Sequence, residues 1–292
     1  MNAEVTFPFV LDLVRLRSFA EVAERGTVAA AAAALDFTAP AVSQHLAKLE
    51  HELGVDLFDR AGRRLQLTDA GTALLPVALD MIDLDARARH VVHDTDELPH
   101  LVIAGFASAL ATIVVPRLPA LADRMTIDIV EAEDAEAMRD LGLGAVDLVL
   151  AQEYEGIPEV RNPRFDFEPI QQDELRLVLP SRQPARTTVA ELGDTPWLLN
   201  GTGTRCAAAT LRILDDHGLR PSIAGSVADN ATLLALVAAG HGVTVAPELL
   251  LGELPIGVRV ATQRLGVQRT LFAVSRSPAS DAVLELIDTL RP

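Results

Sequence analysis

The sequence predicts an α/β protein in three parts: a small, mainly helical domain, one long helix, and a larger domain of alternating strands and helices. In the first part, apolar residues recur at helical spacing. From Thr68 to about His93 that spacing continues through one long segment. From about residue 100 onward, short apolar runs alternate with helical patterns, which is typical of a parallel sheet with helices on both faces.

The composition allows buried cores and argues against export. The chain has 292 residues, of which 49% are hydrophobic and 23% charged, so two or three domains are expected. No apolar run reaches the roughly 18 residues that span a bilayer, and Met1 to Phe9 lack the basic start of a signal peptide. The single cysteine, Cys206, excludes an intramolecular disulfide. We therefore expect a cytoplasmic protein without a membrane partner.

The net charge does not by itself suggest a nucleic-acid partner. The chain carries a formal charge of −16, whereas nucleic-acid readers are usually basic. Only −2 of this falls between Met1 and Gln66, which hold seven basic and nine acidic residues. A function at the N-terminus must therefore be argued from local motifs.

The N-terminal segment is predicted to hold three helices. Asp12 to Arg25 has one apolar face and stops at Gly26. Thr27 caps a short alanine-rich helix, Val28 to Leu35, and Thr38 caps a third helix.

The third helix has a polar outward face, and the segment after it contains a basic turn. The helix carries Pro40 in its first turn and ends at Gly54. Its predicted buried stripe is Val42, Leu46, Leu49 and Leu53, and its predicted outward face is Ser43, Gln44, His45 and Lys48. Two short apolar strands then flank a basic turn with Arg60, Arg63 and Arg64. Together these elements predict a winged helix-turn-helix.

The long helix is predicted to pair with a second copy of itself. Thr68 caps it, and apolar residues follow at alternating spacings of three and four: Leu74, Val77, Met81, Leu84, Ala88 and Val91. This is a coiled-coil seam, so we expect a homodimer. Pro76 inside the pattern predicts a kink and no break.

The remaining chain is predicted to form two α/β lobes after a polar hinge at Asp94 to Pro99. The predicted domains are 1–67, the linker helix 68–94, and 95–292. Lobe one takes about 100–175 and 265–292, and lobe two about 176–264. In lobe one the βαβαβ order predicts a parallel, doubly wound sheet with a single helix from Ala109 to Leu121.

Spaced motifs across the chain resemble the LysR family of transcriptional regulators. They are Pro40 to Gln44, Leu49–Glu50, Leu53–Gly54, Leu57 to Arg60, Leu67 to Gly71, and Val227 to Glu248. The resemblance implies a winged helix-turn-helix, a linker helix, and a sensor similar to periplasmic solute-binding proteins. It also implies dimers that pair into tetramers, double-stranded DNA with dyad symmetry as a partner, a small-molecule effector, and RNA polymerase if the protein is an activator.

The resemblance assigns roles on the N-terminal domain. Ser43, Gln44 and His45 are expected to read base edges, with Thr38 and Lys48 toward the DNA backbone. Pro40 is also counted among the DNA-binding residues. Arg60, Arg63 and Arg64 are expected to meet phosphate or the minor groove. Many relatives carry Gln before the recognition-helix proline and Thr-Arg in the second helix; Ala39, Ala29 and Ala30 stand there, so some contacts are absent.

The sensor is expected to bind its effector between the lobes, where strands end and helices begin. The candidate residues are Ala107, Ser108, Asn200, Thr202, Gly203, Thr204, Asn230 and Thr232. Such positions suit an anion, often a carboxylate, although the same residue types also serve as ordinary helix caps. Gly201 to Gly203 lacks the spacing of a nucleotide loop.

Two alternatives remain open, and a third is disfavoured. Cys206, beside Arg205 at a predicted helix start, could be an acidic, redox-sensing thiol. The chain could also be a small-molecule-binding protein with a degenerate DNA-binding module. An enzyme is disfavoured because no catalytic motif is found, and the helical pair His90 and His93 has no third partner to hold a metal. No cofactor is expected.

Overall fold

The computed structural model describes residues 11–61, 64–93, 98–157 and 161–292. These residues form two compact units. One unit takes the described part of Met1–His100 together with Ala135–Asp147, and the other takes Leu101–Asp134 with Leu148–Pro292. The sequence places residues 135–147 in the C-terminal domain instead, and its domain limits stay predictions. The hinge residues 94–97 lie outside the described residues.

Three helices begin the first unit, and the second and third begin at the predicted caps Thr27 and Thr38. They are α1 Leu13–Arg25, α2 Val28–Ala34 and α3 Ala39–Leu53. The side chains of Asp12, Thr27 and Thr38 accept hydrogen bonds from first-turn backbone N–H groups, which the helices leave unsatisfied. Gly26 and Gly54 end α1 and α3, each with φ of +71°, a conformation that costs glycine little.

A hairpin and a long helix complete the N-terminal part. Strands β1 (Phe58–Ala61) and β2 (Arg64–Leu67) pair antiparallel, and helix α4 (Asp69–His93) follows and continues through Pro76. A Cβ on Gly71 would lie 2.2 Å from the carbonyl oxygen of Leu57. Only glycine therefore allows α4 to start this close to the hairpin.

The apolar faces of these helices share one core. Its fully buried members are Leu16, Phe19, Ala20, Val22, Ala31, Val42, Leu49, Ala78 and Ile82. The predicted stripe of α3 is confirmed for three of its four residues, and Leu53 packs at the edge, half-buried. The opposite face of α3 is thereby left free of the core.

The second unit is built on a six-stranded sheet in the order β4-β3-β5-β10-β6-β9 and a two-stranded sheet of β7 and β8. The strands are β3 His100–Gly105, β4 Thr126–Glu131, β5 Leu148–Tyr154, β6 Phe165–Pro180, β7 Trp197–Asn200, β8 Ile223–Val227, β9 Thr244–Pro247 and β10 Val258–Arg276. The pairs β3–β5 and β7–β8 are parallel.

The parallel arrangement predicted from the βαβαβ order is confirmed for β3 and β5, but the centre of the sheet, which that order does not include, is antiparallel. Strand β10 runs antiparallel to both β5 and β6, and β6 runs antiparallel to β9. The reason is that β6 and β10 serve both lobes. Ile170 and Leu271 belong to one apolar core, while Leu177 and Ala261 belong to the other. Each of these strands passes from one lobe to the other, and the two run in opposite directions, so they pair antiparallel.

The single helix predicted after β3 is divided into short pieces. Helix α5 (Ala107–Ala109) leads into a π turn at Leu110–Val114, a 3₁₀ turn at Val115–Arg117, and helix α6 (Leu118–Leu121). Pro116 and Pro119 interrupt the regular hydrogen-bond pattern because proline has no N–H.

The remaining helices are α7 Asp134–Gly142, α8 Arg205–Asp216, α9 Asn230–Ala238 and α10 Asp281–Leu290. Helix α10 packs in the core of lobe one, α8 in the core of lobe two, and α9 in a further apolar cluster with β7 and β9. Within the described ranges, we find no helix with the length and apolar character needed to cross a membrane.

Candidate functional sites

The face of α3 that points away from the core is polar and exposed. Pro40, Ser43, Gln44 and Lys48 are all exposed. Thr38, also exposed, holds the first turn, since its Oγ1 accepts a hydrogen bond from the Ala41 N–H at 3.4 Å. Because the buried stripe fixes the rotation of α3, these side chains lie together on one accessible surface.

His45 does not share that surface, and the expectation that it faces outward is corrected. Its Nδ1 lies 2.8 Å from Oγ of Ser18 on α1. Its ring packs edge-on against the ring of Phe37, with 5.4 Å between the two ring centroids. His45 therefore ties α3 to α1. The sequence contained the signal, since His45 lies three residues after Val42 and one before Leu46, within the buried stripe.

The second strand of the hairpin is joined to the end of α1. The backbone N–H of Leu65 donates to the carbonyl of Gly26 at 2.9 Å, which fixes β2 beside the start of the α2 segment. Arg64 is exposed at the first position of β2. The side chain of Arg60 and the whole of Arg63 lie outside the described part of the chain.

Most described basic residues of the N-terminal domain are already paired. Arg15 pairs with Glu52, Arg17 with Asp85, and Arg25 with Glu21. The hydrogen bond from Arg25 to Glu21 raises the pKa of Arg25 against the opposing effect of burial.

Two of the described basic side chains of this domain are not paired. Lys48 and Arg64 have no ion pair within the described residues. The positive charge available to a polyanion is therefore concentrated on the predicted DNA-contacting elements.

Helix α4 presents part of its predicted seam to solvent. Val77 is 51% exposed and Leu84 is 58% exposed, and Ala88 is also exposed. Leu74 and Met81 are half-buried against the domain core. The side chains of Val91, His90 and His93 lie outside those that the structure describes.

A cavity of about 540 Å³ opens in the second unit. Five of the eight predicted effector residues line it: Ala107, Ser108, Asn200, Thr204 and Asn230.

The polar lining side chains are held by short contacts. Asn200 Nδ2 donates to Asn230 Oδ1 at 2.6 Å, so the ends of β7 and α9 meet at the wall. Thr204 caps α8 by accepting from the Ala207 N–H at 3.1 Å.

The other three predicted effector residues are not among those that line the cavity. Thr202 bonds to Ser226, with an Oγ1–Oγ distance of 2.9 Å. Gly203 adopts φ of +77° in the turn before α8. Thr232 donates its backbone N–H to Asp229 at 2.7 Å, so it acts in the cap of α9.

The cavity also holds a buried polar network that was not predicted from the sequence. Arg269, 1% exposed, donates from Nε and Nη2 to the two carboxylate oxygens of Asp173, at 2.7 and 2.8 Å. Its Nη1 lies 3.3 Å from Gln152 Oε1, which also accepts from Tyr154 OH at 2.9 Å. Burial lowers the pKa of Arg269, but the hydrogen bond and charge of Asp173 outweigh it and the net pKa is raised.

Cys206 also lines the cavity, and its environment disfavours the alternative of an acidic, redox-sensing thiol. The residue is 5% exposed, and burial raises the pKa of its thiol. The neighbouring Arg205 is engaged by Asp134 at 3.0 Å. Burial, the largest cause, also raises the pKa of the adjacent Tyr154 well above its usual value. The thiol is therefore held in its protonated form.

Comparison with known proteins defines the class to which this architecture belongs. Residues 13–72 match the bacterial regulatory helix-turn-helix protein of the lysR family, and residues 96–292 match the LysR substrate binding domain. The chain belongs to the LysR family of transcriptional regulators. Its members are DNA-binding regulators with effector-binding domains, and they are not enzymes.

Individual relatives are similar to this chain over most of its length. A probable transcriptional regulator, LrrA of Synechococcus elongatus, is 29% identical and covers 96% of this chain and 97% of its own. A probable hydrogen peroxide-inducible genes activator of Mycobacterium leprae is 32% identical, covering 80% and 76%. The structure of ArgP from Mycobacterium tuberculosis has the same fold, with a TM-score of 0.65, 21% identity and 97% coverage of both chains.

Proposed function

We propose that this regulator reads DNA with the exposed face of α3. The observation that carries the proposal is the separation of that helix into a buried stripe and a polar surface with Ser43 and Gln44. A helix of this kind fits the major groove. Gln44 can hold an adenine edge through paired hydrogen bonds, since an amide offers both a donor and an acceptor.

The unpaired cations supply the backbone contacts. Lys48 and Arg64 meet phosphates, with Thr38 near the helix start and Arg60 and Arg63 from the wing. Because the segment Met1 to Gln66 carries a net charge of −2, affinity depends on these few contacts, and each phosphate contact that is lost weakens the salt dependence of binding. His45 supports the reading helix through Ser18 and makes no base contact.

Helix α4 joins two copies of the chain into the DNA-binding dimer. Val77, Leu84 and Ala88 expose apolar surface at coiled-coil spacing, and a second copy of the same seam buries it. The dimer matches a dyad-symmetric site, and two dimers form a tetramer on paired sites.

The cavity in the second unit binds the small-molecule effector. Its strand-end and helix-start position is typical of ligand sites in α/β lobes. The effector shifts the equilibrium between two arrangements of the dimer to the extent that it binds them unequally. The protein acts in the cytoplasm without a metal or cofactor, and an activating form contacts RNA polymerase.

The DNA-reading proposal is tested by capture of genomic fragments. The purified chain, Gln44→Ala and Gln268→Ala are incubated with fragmented DNA, and bound fragments are sequenced. Gln268 is an exposed glutamine of the second unit, so its replacement is the matched control. We expect a dyad-symmetric motif that the control retains and Gln44→Ala weakens. No enrichment at low salt, where phosphate contacts are strongest, contradicts the proposal.

A further inference from the structure

The effector cavity has an acidic lining that the sequence analysis did not anticipate. Glu131, Glu133 and Asp229 all line it. Within the described residues, none of the three forms an ion pair with a basic side chain. Asp229 uses one oxygen to cap α9, accepting from the Thr232 N–H at 2.7 Å. Hydrogen bonding from Thr232, first from its side chain and then from its backbone N–H, leaves the full negative charge in place and lowers the pKa of Asp229.

The one basic side chain in this lining does not offset these charges. Arg269 is matched by the two-point contact with Asp173, and three of its N–H groups are used by Asp173 and Gln152. The buried pair is neutral as a whole. Three carboxylates therefore remain uncompensated, and an anion in this cavity would meet like charges.

A second, independent feature of the cavity is the side chain of Ser108. Ser108 is 8% exposed and lines the wall. Among the described residues, none forms a hydrogen bond with its Oγ. This oxygen is therefore available as an acceptor for a group that enters the cavity. Apolar surface from Phe106, Pro247 and Leu250 lines the same space.

We propose that the effector of this regulator is an organic cation, an amine or guanidine joined to an apolar body. The inference rests on the proposed effector role of the cavity and reverses the anion expected from helix starts alone. An ammonium or guanidinium carries only donors, and the carboxylates of Glu131, Glu133 and Asp229 with the hydroxyl of Ser108 supply acceptors. The apolar body lies against Phe106 and Leu250.

The single cysteine provides a test that does not require the effector to be known. Cys206 lines the cavity, so it reports the local potential through its reaction with charged methanethiosulfonates. In each case the thiolate displaces methanesulfinate and forms a mixed disulfide. The rates with a trimethylammonioethyl and a sulfonatoethyl reagent are compared on the full chain, and the urea-unfolded chain supplies the reference ratio.

We expect the cation-to-anion rate ratio to exceed the unfolded reference by about tenfold or more, as in other clefts lined by charge of one sign. Glu131→Gln with Glu133→Gln should return the ratio close to the reference. Glu253→Gln should not, because Glu253 is exposed and does not line the cavity. A ratio at or below the reference, or one unchanged in the double variant, overturns the proposal.

Calorimetry gives a second measurement if the thiol reacts with neither reagent. Phenethylamine, 3-phenylpropionate and 2-phenylethanol share a body and differ in charge. Tighter binding of the amine, lost in the double variant, supports the inference, and preference for the carboxylate or no binding overturns it. DNA capture separates the two proposals. A recovered operator with reversed charge preference overturns only the effector class, and a cation-preferring cavity without operator enrichment overturns only the DNA reading.

Discussion

Arg269 and Asp173 form a two-point ion pair on adjacent strands β10 and β6, with side chains only 1% and 6% exposed. Both carboxylate oxygens of Asp173 accept hydrogen bonds from Arg269, and Oδ2 also accepts one from the Leu249 N–H at 2.9 Å. The pair fixes the wall of the cavity where Gln152 and Tyr154 meet it.

Breaking this pair should destabilise the second unit strongly. Arg269→Met leaves Asp173 buried and uncompensated, which costs about 3–5 kcal/mol. Arg124→Met removes an exposed pair with Glu285, 44% and 45% exposed, and should cost about 1 kcal/mol or less. Urea unfolding followed by far-UV circular dichroism measures both. Equal losses in the two variants would contradict the importance assigned to burial.

The pair also illustrates a kind of contact that could not be predicted from the sequence. Helix starts were predictable because Asp12, Thr27 and Thr38 act within a few residues of their own position. The partners Arg269 and Asp173 are 96 positions apart, and only the pairing of β10 with β6 brings them together. The antiparallel centre of the sheet was missed for the same reason, since strand length and direction depend on both lobes.

The residues of the candidate sites also fall into two groups: those that a local pattern predicts and those that only the fold brings together. Residues on α3 were predictable from one helical period, and His45 was misplaced only because its polarity was weighed above its position next to Leu46. Ser108, Asn200 and Thr204 were found because they follow strand ends. Glu131, Glu133 and Asp229 were missed, since exposed acidic residues are common throughout an acidic chain and only the fold gathers these three.

Cys206 should react slowly and with an unusual pH dependence. Burial raises the pKa of its thiol, so less thiolate is present at neutral pH than in a free cysteine. The rate of iodoacetamide alkylation should keep rising with pH where the rate of the urea-unfolded chain has levelled off. Mass spectrometry of the single site measures both rates. A folded-state rate that levels off at lower pH than the unfolded rate would contradict the structure and revive the thiol-sensor reading.

Neighbouring residues on α3 should separate stability from DNA affinity. His45→Ala removes the contact with buried Ser18 and should lower the unfolding free energy by about 1–2 kcal/mol. Gln44→Ala changes an exposed side chain and should alter stability by less than about 0.5 kcal/mol. On the recovered operator, Gln44→Ala should weaken binding about tenfold, the effect of losing one paired base contact.

Urea unfolding and fluorescence anisotropy on the same preparations check the two effects. The variants serve as controls for each other because they lie on successive positions of one helix. Loss of operator binding by a fully stable His45→Ala protein would place His45 at the DNA and not at α1.

Charge placed on the exposed seam of α4 should separate the two copies. Leu84 is 58% exposed in the single chain, so Leu84→Glu should change its folding stability by less than about 0.5 kcal/mol. In the paired seam the same carboxylate would be buried against its twin. Because burying an unpaired charge costs several kcal/mol, the dimer dissociation constant should rise by about 100-fold or more.

Sedimentation velocity across a concentration series measures this change. Leu211→Glu on α8 is the matched control, since Leu211 is also a largely exposed leucine, at 44%, and lies outside the seam. The control should sediment as the unaltered chain does. If Leu84→Glu also remains dimeric at low concentration, α4 does not hold the copies together. The exposed apolar residues Val77, Leu84 and Ala88 would then need a different partner, because an apolar surface patch of this kind marks an interaction site.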